Sequence, residues 1–194
     1  MRRERDPFRH RGPPGIADGR YPSALRTAPS AVGPAVPSLH LLERDQWIPA
    51  PRPQVWAFFS DPGNLTRITP RSLGFRIVGA PPGPLERGSR IAYRIRWAAL
   101  TLGWTTRISR WEPEDFFEDV QERGPYRRWV HTHRFTPQHG GTRMEDRVEY
   151  ELPFGVLGRL AHRLSVRRQL EGIFHHRARV IGELFERIPG SSGA

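Results

Sequence analysis

Between Gly124 and Phe135 the chain reads GPYRRWVHTHRF, and the two-residue alternation there constrains the fold more than any other stretch. Gly-Pro opens it as a turn, because Pro fixes φ and Gly tolerates unusual values. Beyond the turn, Trp129, His131, His133 and Phe135 fall on one side, and Arg128, Val130, Thr132 and Arg134 on the other. Successive side chains of a strand face opposite ways, so this is a strand with an aromatic face and a largely polar one. Two histidines among large aromatics make a wall that is mostly apolar but not dry. That is the composition of a ligand pocket.

The same alternation continues on both sides. Leu39 to Ile48 reads as a first strand, broken by Pro49, Pro51 and Pro53. A short helix with Val55, Trp56, Phe58 and Phe59 follows, then a second around Asn64 to Ile68. Leu73, Phe75 and Ile77 alternate as a second strand, and Ala80 to Gly88 is a Pro/Gly loop. From there the pattern is a meander. Ile91, Tyr93, Ile95 and Trp97 face in, then Trp104, Thr106 and Ile108. Phe116 to Glu122 is the next strand, ahead of the Gly124 stretch. Gln138-His139-Gly140-Gly141 signals a hairpin. After it Met144, Asp146, Val148, Tyr150 and Leu152 face in, against an outer row of alternating charge.

A long helix, roughly Val156 to Arg187, ends the chain. Leu157, Leu160, Leu164, Leu170, Ile173, Phe174, Ile181, Leu184 and Phe185 recur near a 3.6 period, with drift around Val166 to Gln169. The order is strand, two short helices, six-strand meander, long helix: an α+β fold with one sheet face for one helix to cover. A helix about 10 Å wide cannot fill a curved seven-stranded sheet, so a cavity between them is expected.

Residues 1–37 carry seven prolines and seven arginines without apolar periodicity. Such a segment cannot bury enough surface to offset its ordering entropy, and disorder is expected there and at 189–194. The domain is expected over 38–188. The formal net charge of +11 raises nucleic-acid binding, but all 31 basic residues are arginine and those in the strands are interleaved with acids. That is a solvated face, and no nucleic-acid partner is expected. There is no cysteine, which excludes disulfides and thiolate chemistry. No apolar run of about 18 residues is present, so no transmembrane segment is expected. The N-terminus lacks the apolar region of a secretory signal, and a cytoplasmic location is expected.

WIPAPRPQVWAFFSDPGNLTRITP after the first strand, FEDVQERGPYRRWVHTHRF in the meander and TRMEDRVEYELPFGVLG before the helix carry a family likeness. Over Leu39 to Ile188 the chain resembles the START-like, polyketide-cyclase (SRPBCC) superfamily. The resemblance implies a helix-grip fold: a curved antiparallel sheet wrapped on the long C-terminal helix. It also implies binding of an apolar or amphipathic small molecule, whether lipid, polyketide or aromatic metabolite. Some members are enzymes and many only bind or carry, so no catalytic motif transfers.

The expected cavity residues are Tyr93, Trp97, Trp104, Asp119, Gln121, Trp129, His131, His133, Asp146 and Tyr150. For Asp119 and Gln121 the register is open, because Phe116 and Phe117 compete to face in. His131, His133 and Asp146 lie on strands joined by a hairpin, so contact among them is expected. A His–Asp pair could act as a general base, which gives a cyclase- or hydrolase-type alternative. It could equally be a buried structural network or a polar anchor for a ligand. His-x-His plus an acid also offers three metal ligands. No second pair of ligands supports that, and the adjacent His175 and His176 diverge, so neither metal nor cofactor is expected. The remaining alternative is a membrane- or nucleic-acid-associated adaptor using the arginines.

Overall fold

The computed structural model describes residues 39–81, 83–97 and 100–187. The terminal segments expected to be disordered lie outside those residues. Seven strands form one antiparallel sheet in the order β1-β7-β6-β5-β4-β3-β2. They are β1 (His40–Ile48), β2 (Arg76–Gly79), β3 (Arg90–Trp97), β4 (Leu100–Glu112), β5 (Phe116–Arg123), β6 (Arg128–Gln138) and β7 (Gly141–Glu151). The first strand thus closes beside the last, which places β6 and β7 well inside the sheet.

Prolines shape the link from β1 to β2. Helix α1 (Arg52–Ser60) starts behind Pro51 and carries Pro53 in its first turn. Proline is tolerated there because the first backbone N–H groups have no intrahelical partner. Helix α2 (Leu65–Ile68) is a single turn. The alternation over Leu73, Phe75 and Ile77 does not make one strand. Arg71–Leu73 is a 3₁₀ turn, ended by Gly74 at φ 51°, and β2 begins only at Arg76. A left-handed residue cannot continue an extended chain, and glycine takes that conformation without steric cost.

The register of β5 is settled by its pairing. Asp119 lies opposite His131 and Phe117 opposite His133, so Phe117, Asp119, His131 and His133 share a face. Phe116 takes the other face, where the guanidinium carbons of Arg110 and Arg134 sit 4.7 and 5.1 Å from its ring centre. Both phenylalanines are buried, which is why the pattern alone left the choice open. Irregular pairing between β4 and β5 accompanies the arrangement. Extra residues of that kind bend a strand and sharpen its twist.

The C-terminal helical run is α3 (Gly155–Ala161), a π-helical turn (His162–Val166) and α4 (Arg167–Glu186). The wider turn shifts the helical phase, which is the drift visible in the sequence. Beyond it Leu170, Phe174, Ile181 and Phe185 are buried at spacings of four, seven and four. Leu157 and Leu160 before it and Leu164 within it are exposed, so they are not part of the packed stripe. Gln46 on β1 donates to the Ala178 carbonyl at 2.8 Å and ties α4 to the sheet. Two apolar clusters result. One gathers Ile48, Val55, Phe59, Phe135, Met144, Ile181 and Phe185; the other gathers Leu42, Trp104, Tyr126, Val148, Leu170 and Phe174. No helix among the described residues is long and apolar enough to cross a membrane.

Candidate functional site

A cavity of about 180 Å³ opens between the concave sheet face and α4. Its wall is mostly aromatic and aliphatic. Trp104 packs edge-on against Trp129 at 5.1 Å, and Tyr126 lies 4.8 Å from Trp129. Tyr93, Ile95, Phe117 and Leu170 extend that surface. Of the residues expected from the sequence, Tyr93, Trp104, Asp119, Trp129, His131 and His133 line the cavity.

Gln121, Asp146 and Tyr150 are not among the lining residues. Gln121 clamps the Gly124-Pro125 turn, donating to the Tyr126 carbonyl at 2.6 Å and accepting from the Tyr126 N–H at 3.3 Å. It thereby positions Tyr126, which does line the cavity. The Tyr150 hydroxyl lies 2.8 Å from His162 Nε2, and His162 stacks on His40. Trp97 falls on β3, but its side chain lies outside the described residues.

The polar residues meet at one place. On the inward face Asp119 stands directly opposite His131, and Asp146 directly opposite His133. The other two pairs are diagonal neighbours, which on an antiparallel sheet remain within reach of long side chains. All four groups therefore touch. His131 Nε2 lies 3.1 Å and His133 Nδ1 2.6 Å from Asp146 Oδ1. The first is a hydrogen bond; the second is as close but misaligned, leaving His133 Nδ1 without one. On the other side His131 Nδ1 and His133 Nε2 stand 3.6 and 3.5 Å from Asp119 Oδ2. Thr106 donates to Asp119 Oδ1 at 3.2 Å. The cluster joins the two apolar cores, with His133 against Phe117 at 4.3 Å and His131 against Phe174 at 5.5 Å.

Its electrostatics follow from burial and mutual contact. Burial pushes His131 below its usual value, the charge of His133 adds to that, and the bond to Asp146 only partly offsets both. Burial pushes both carboxyls up, but their polar partners outweigh it. Asp119 is held down by His133, His131 and Thr106. Asp146 is held well below the usual range by the charge of Arg177 and by both imidazoles. The cluster is thus two carboxylates bracketing a histidine that favours its neutral form.

Thr106, Tyr126 and Arg177 are among the lining residues not expected from the sequence. Thr106 already sat on the inward row of β4, and Tyr126 followed the turn. Arg177 had a clear signal: it interrupts the apolar stripe between Phe174 and Ile181. Its guanidinium carbon sits 5.3 Å from the Phe59 ring centre and 5.9 Å from that of Phe174. Its Nε is buried without a hydrogen-bond partner, as is Trp104 Nε1.

The family model for polyketide cyclase / dehydrase and lipid transport matches residues 48–174. The chain belongs to that family. Membership establishes small-molecule binding as its general business, in a fold of the helix-grip kind. Solved structures agree on the architecture. The Zhui aromatase/cyclase from a Streptomyces species is 17% identical with a TM-score of 0.62, over 81% of this chain and 100% of that one. A protein from Thermus thermophilus is 20% identical with a TM-score of 0.56, over 79% and 100%. A major latex-like protein from Panax ginseng is 12% identical with a TM-score of 0.54, over 76% and 97%. No curated protein sequence matches the chain.

Proposed function

We propose that this family member binds a compact amphipathic molecule with an apolar, ring-sized body and an anionic or strongly polar group. The observation that carries the reading is the pair of buried, partnerless donors, Arg177 Nε and Trp104 Nε1, on residues that line an apolar cavity. A buried donor without a partner costs about 1–3 kcal/mol, a cost that a ligand acceptor would remove. The volume supports a small body. About 150 Å³ is enough for benzene, so a space near 180 Å³ suits an aromatic or folded polyketide-like skeleton better than a two-chain lipid. A Streptomyces aromatase/cyclase of the same fold is consistent with such a skeleton.

The test is a titration with aromatic carboxylates and their uncharged amides, read by tryptophan emission. Carboxylates are expected to bind more tightly than the amides, and Arg177→Met is expected to erase the difference, a loss of about tenfold or 1.4 kcal/mol. Equal binding of acid and amide to the unaltered protein, or no binding of either, overturns the reading.

An acid–base reading has one specific support, the neutral-leaning His131 held between two carboxylates. Such a group is a competent general base at neutral pH. Turnover of any bound ligand that is lost in His131→Gln, with binding retained, would favour it. Retained turnover in that variant would exclude it.

A further inference from the structure

The donor inventory of the polar cluster does not balance. A neutral imidazole carries one N–H and one lone pair. The His131 tautomer that donates from Nε2 to Asp146 leaves Nδ1 as a lone pair facing Asp119 Oδ2 at 3.6 Å. For His133, the tautomer with its proton on Nδ1, beside Asp146, leaves Nε2 as a lone pair facing the same oxygen at 3.5 Å. Three acceptors then converge, with no donor among them. A single imidazolium would put one donor against Asp119 Oδ2 and still leave the other ring's lone pair facing it, and two would set like charges in rings whose centres are 3.8 Å apart.

We infer that Asp119 Oδ2, His131 Nδ1 and His133 Nε2 form a three-ligand site for a divalent transition-metal ion of the zinc type, with a fourth position open to the cavity. One ligand atom from each of Asp119, His131 and His133 lies within 4.8 Å of the other two. Bonds of 2.0–2.1 Å in a tetrahedral site put its ligands about 3.3 Å apart. The two edges of 3.5 and 3.6 Å therefore need to close by only a few tenths of an ångström. They are too long for good hydrogen bonds, so the ion would displace no strong contact.

The rear of each ligand is already engaged. Both far imidazole nitrogens lie against Asp146 Oδ1, and Thr106 holds Asp119 Oδ1. Carboxylates behind metal-bound histidines fix the tautomer and ring orientation in this way. Charge is largely compensated: two carboxylates, one dication and the Arg177 guanidinium beside Asp146 sum to +1, and buried charges persist when paired or bound to metal. Imidazole and carboxylate donors without thiolate suit zinc and its neighbours in the first row. All three ligands line the cavity while Asp146 does not, so the free position faces the space where a ligand's polar group would lie. Only this last point rests on the cavity reading; the ligand set stands without it.

The experiment uses the full chain, purified without a metal-binding tag, stripped with chelator and titrated with Co(II) and Zn(II). One equivalent of Co(II) is expected to give the intense visible bands of four-coordination, and Zn(II) to bleach them. Asp146→Asn is expected to weaken binding by about ten- to a hundredfold, and Asp119→Asn by more. Zinc-edge X-ray absorption on the unaltered protein needs no variant, and is expected to show light-atom donors including two imidazoles. Absence of binding, affinity unchanged in Asp119→Asn, or a zinc shell of oxygen alone would each overturn the site. Binding of anilinonaphthalene sulfonate in the presence of chelator tests the cavity separately. Dye binding without metal binding refutes the ion alone. Metal binding without dye binding upholds the ion and counts against the cavity reading.

Discussion

Single residues decide the energetics of the interior. Asp146 is nearly buried and is the partner of both histidines, so its loss strands two polar rings. Asp146→Ala in chelator is expected to cost about 1–3 kcal/mol in a denaturant titration. Replacing His133 and Asp146 together by leucine is expected to cost less, because removing both partners of a buried polar contact leaves no orphan. A double change costing more than the single one would mean that the cluster is a structural network. The pH response belongs to this scale as well. Burial holds His40 below its usual value; burial, then the charges of His40 and Arg167, hold His162 below its own. Their rings stack with centres 3.6 Å apart. Histidine in the unfolded chain titrates near 6.5, so on acidification the unfolded state takes up protons first. Stability is therefore full above about pH 6.5 and falls below it. His131 has the same sign. The depressed carboxylates Asp119 and Asp146 act lower, their contribution being lost only as pH drops below about 3.9. Melting temperature is expected to fall from pH 7 to pH 5, and His40→Phe to make that slope shallower. An unchanged slope in the variant would place the titrating groups elsewhere.

At the level of elements, close approaches carry the design. The hairpin between β6 and β7 returns beside the end of β1. There a Cβ on Gly141 would collide with the Ile48 carbonyl oxygen and reach within 2.8 Å of the Trp47 ring. The obstacle is backbone as well as side chain, so little can give. Next to it, the buried Thr142 hydroxyl donates to the Ala50 carbonyl at 2.8 Å and fixes the start of α1. Gly141→Ala is expected to destabilise by about 1–3 kcal/mol through overpacking. A melt within a degree of the unaltered protein would show that the hairpin can move away. The helical run shows the complementary case. Its π turn rotates α4 so that Leu170, Phe174 and Arg177 reach the cavity, while Leu157, Leu160 and Leu164 remain exposed upstream. Periodicity registers such a shift only as a drift over a few residues, which does not say which face of α4 meets the sheet.

At the scale of the whole molecule, the arginines of the described residues are distributed rather than gathered. Glu122 takes Arg90 and Arg107 together, Arg143 meets Asp45 and Glu145, and Arg147 meets Glu43 and Glu149. Exposed pairs of this kind add little stability, but they leave fewer free charges for a phosphate backbone. Despite the net charge of +11, duplex DNA is expected not to bind at physiological salt when followed by fluorescence anisotropy. Tight binding with a steep salt slope would restore the adaptor reading.

The sequence by itself determined the order of elements, the inward row of β6 and the likeness to a helix-grip family. Those depend on local period and on side chains that alternate along one strand. It also placed both histidines and Asp146 on inward rows, because an antiparallel hairpin preserves that parity. Only the tertiary structure decided that Asp119 completes the cluster, since a choice between Phe116 and Phe117 turns on pairing with β6. Only it decided that Asp146 stands behind the histidines while Thr106, Tyr126 and Arg177 join the cavity wall. The physical reason is that facing inward is a property of one element, whereas facing a cavity depends on how far a second element stands away. Curvature of the sheet and the phase of α4 set that distance, and neither is written in any single stretch of chain.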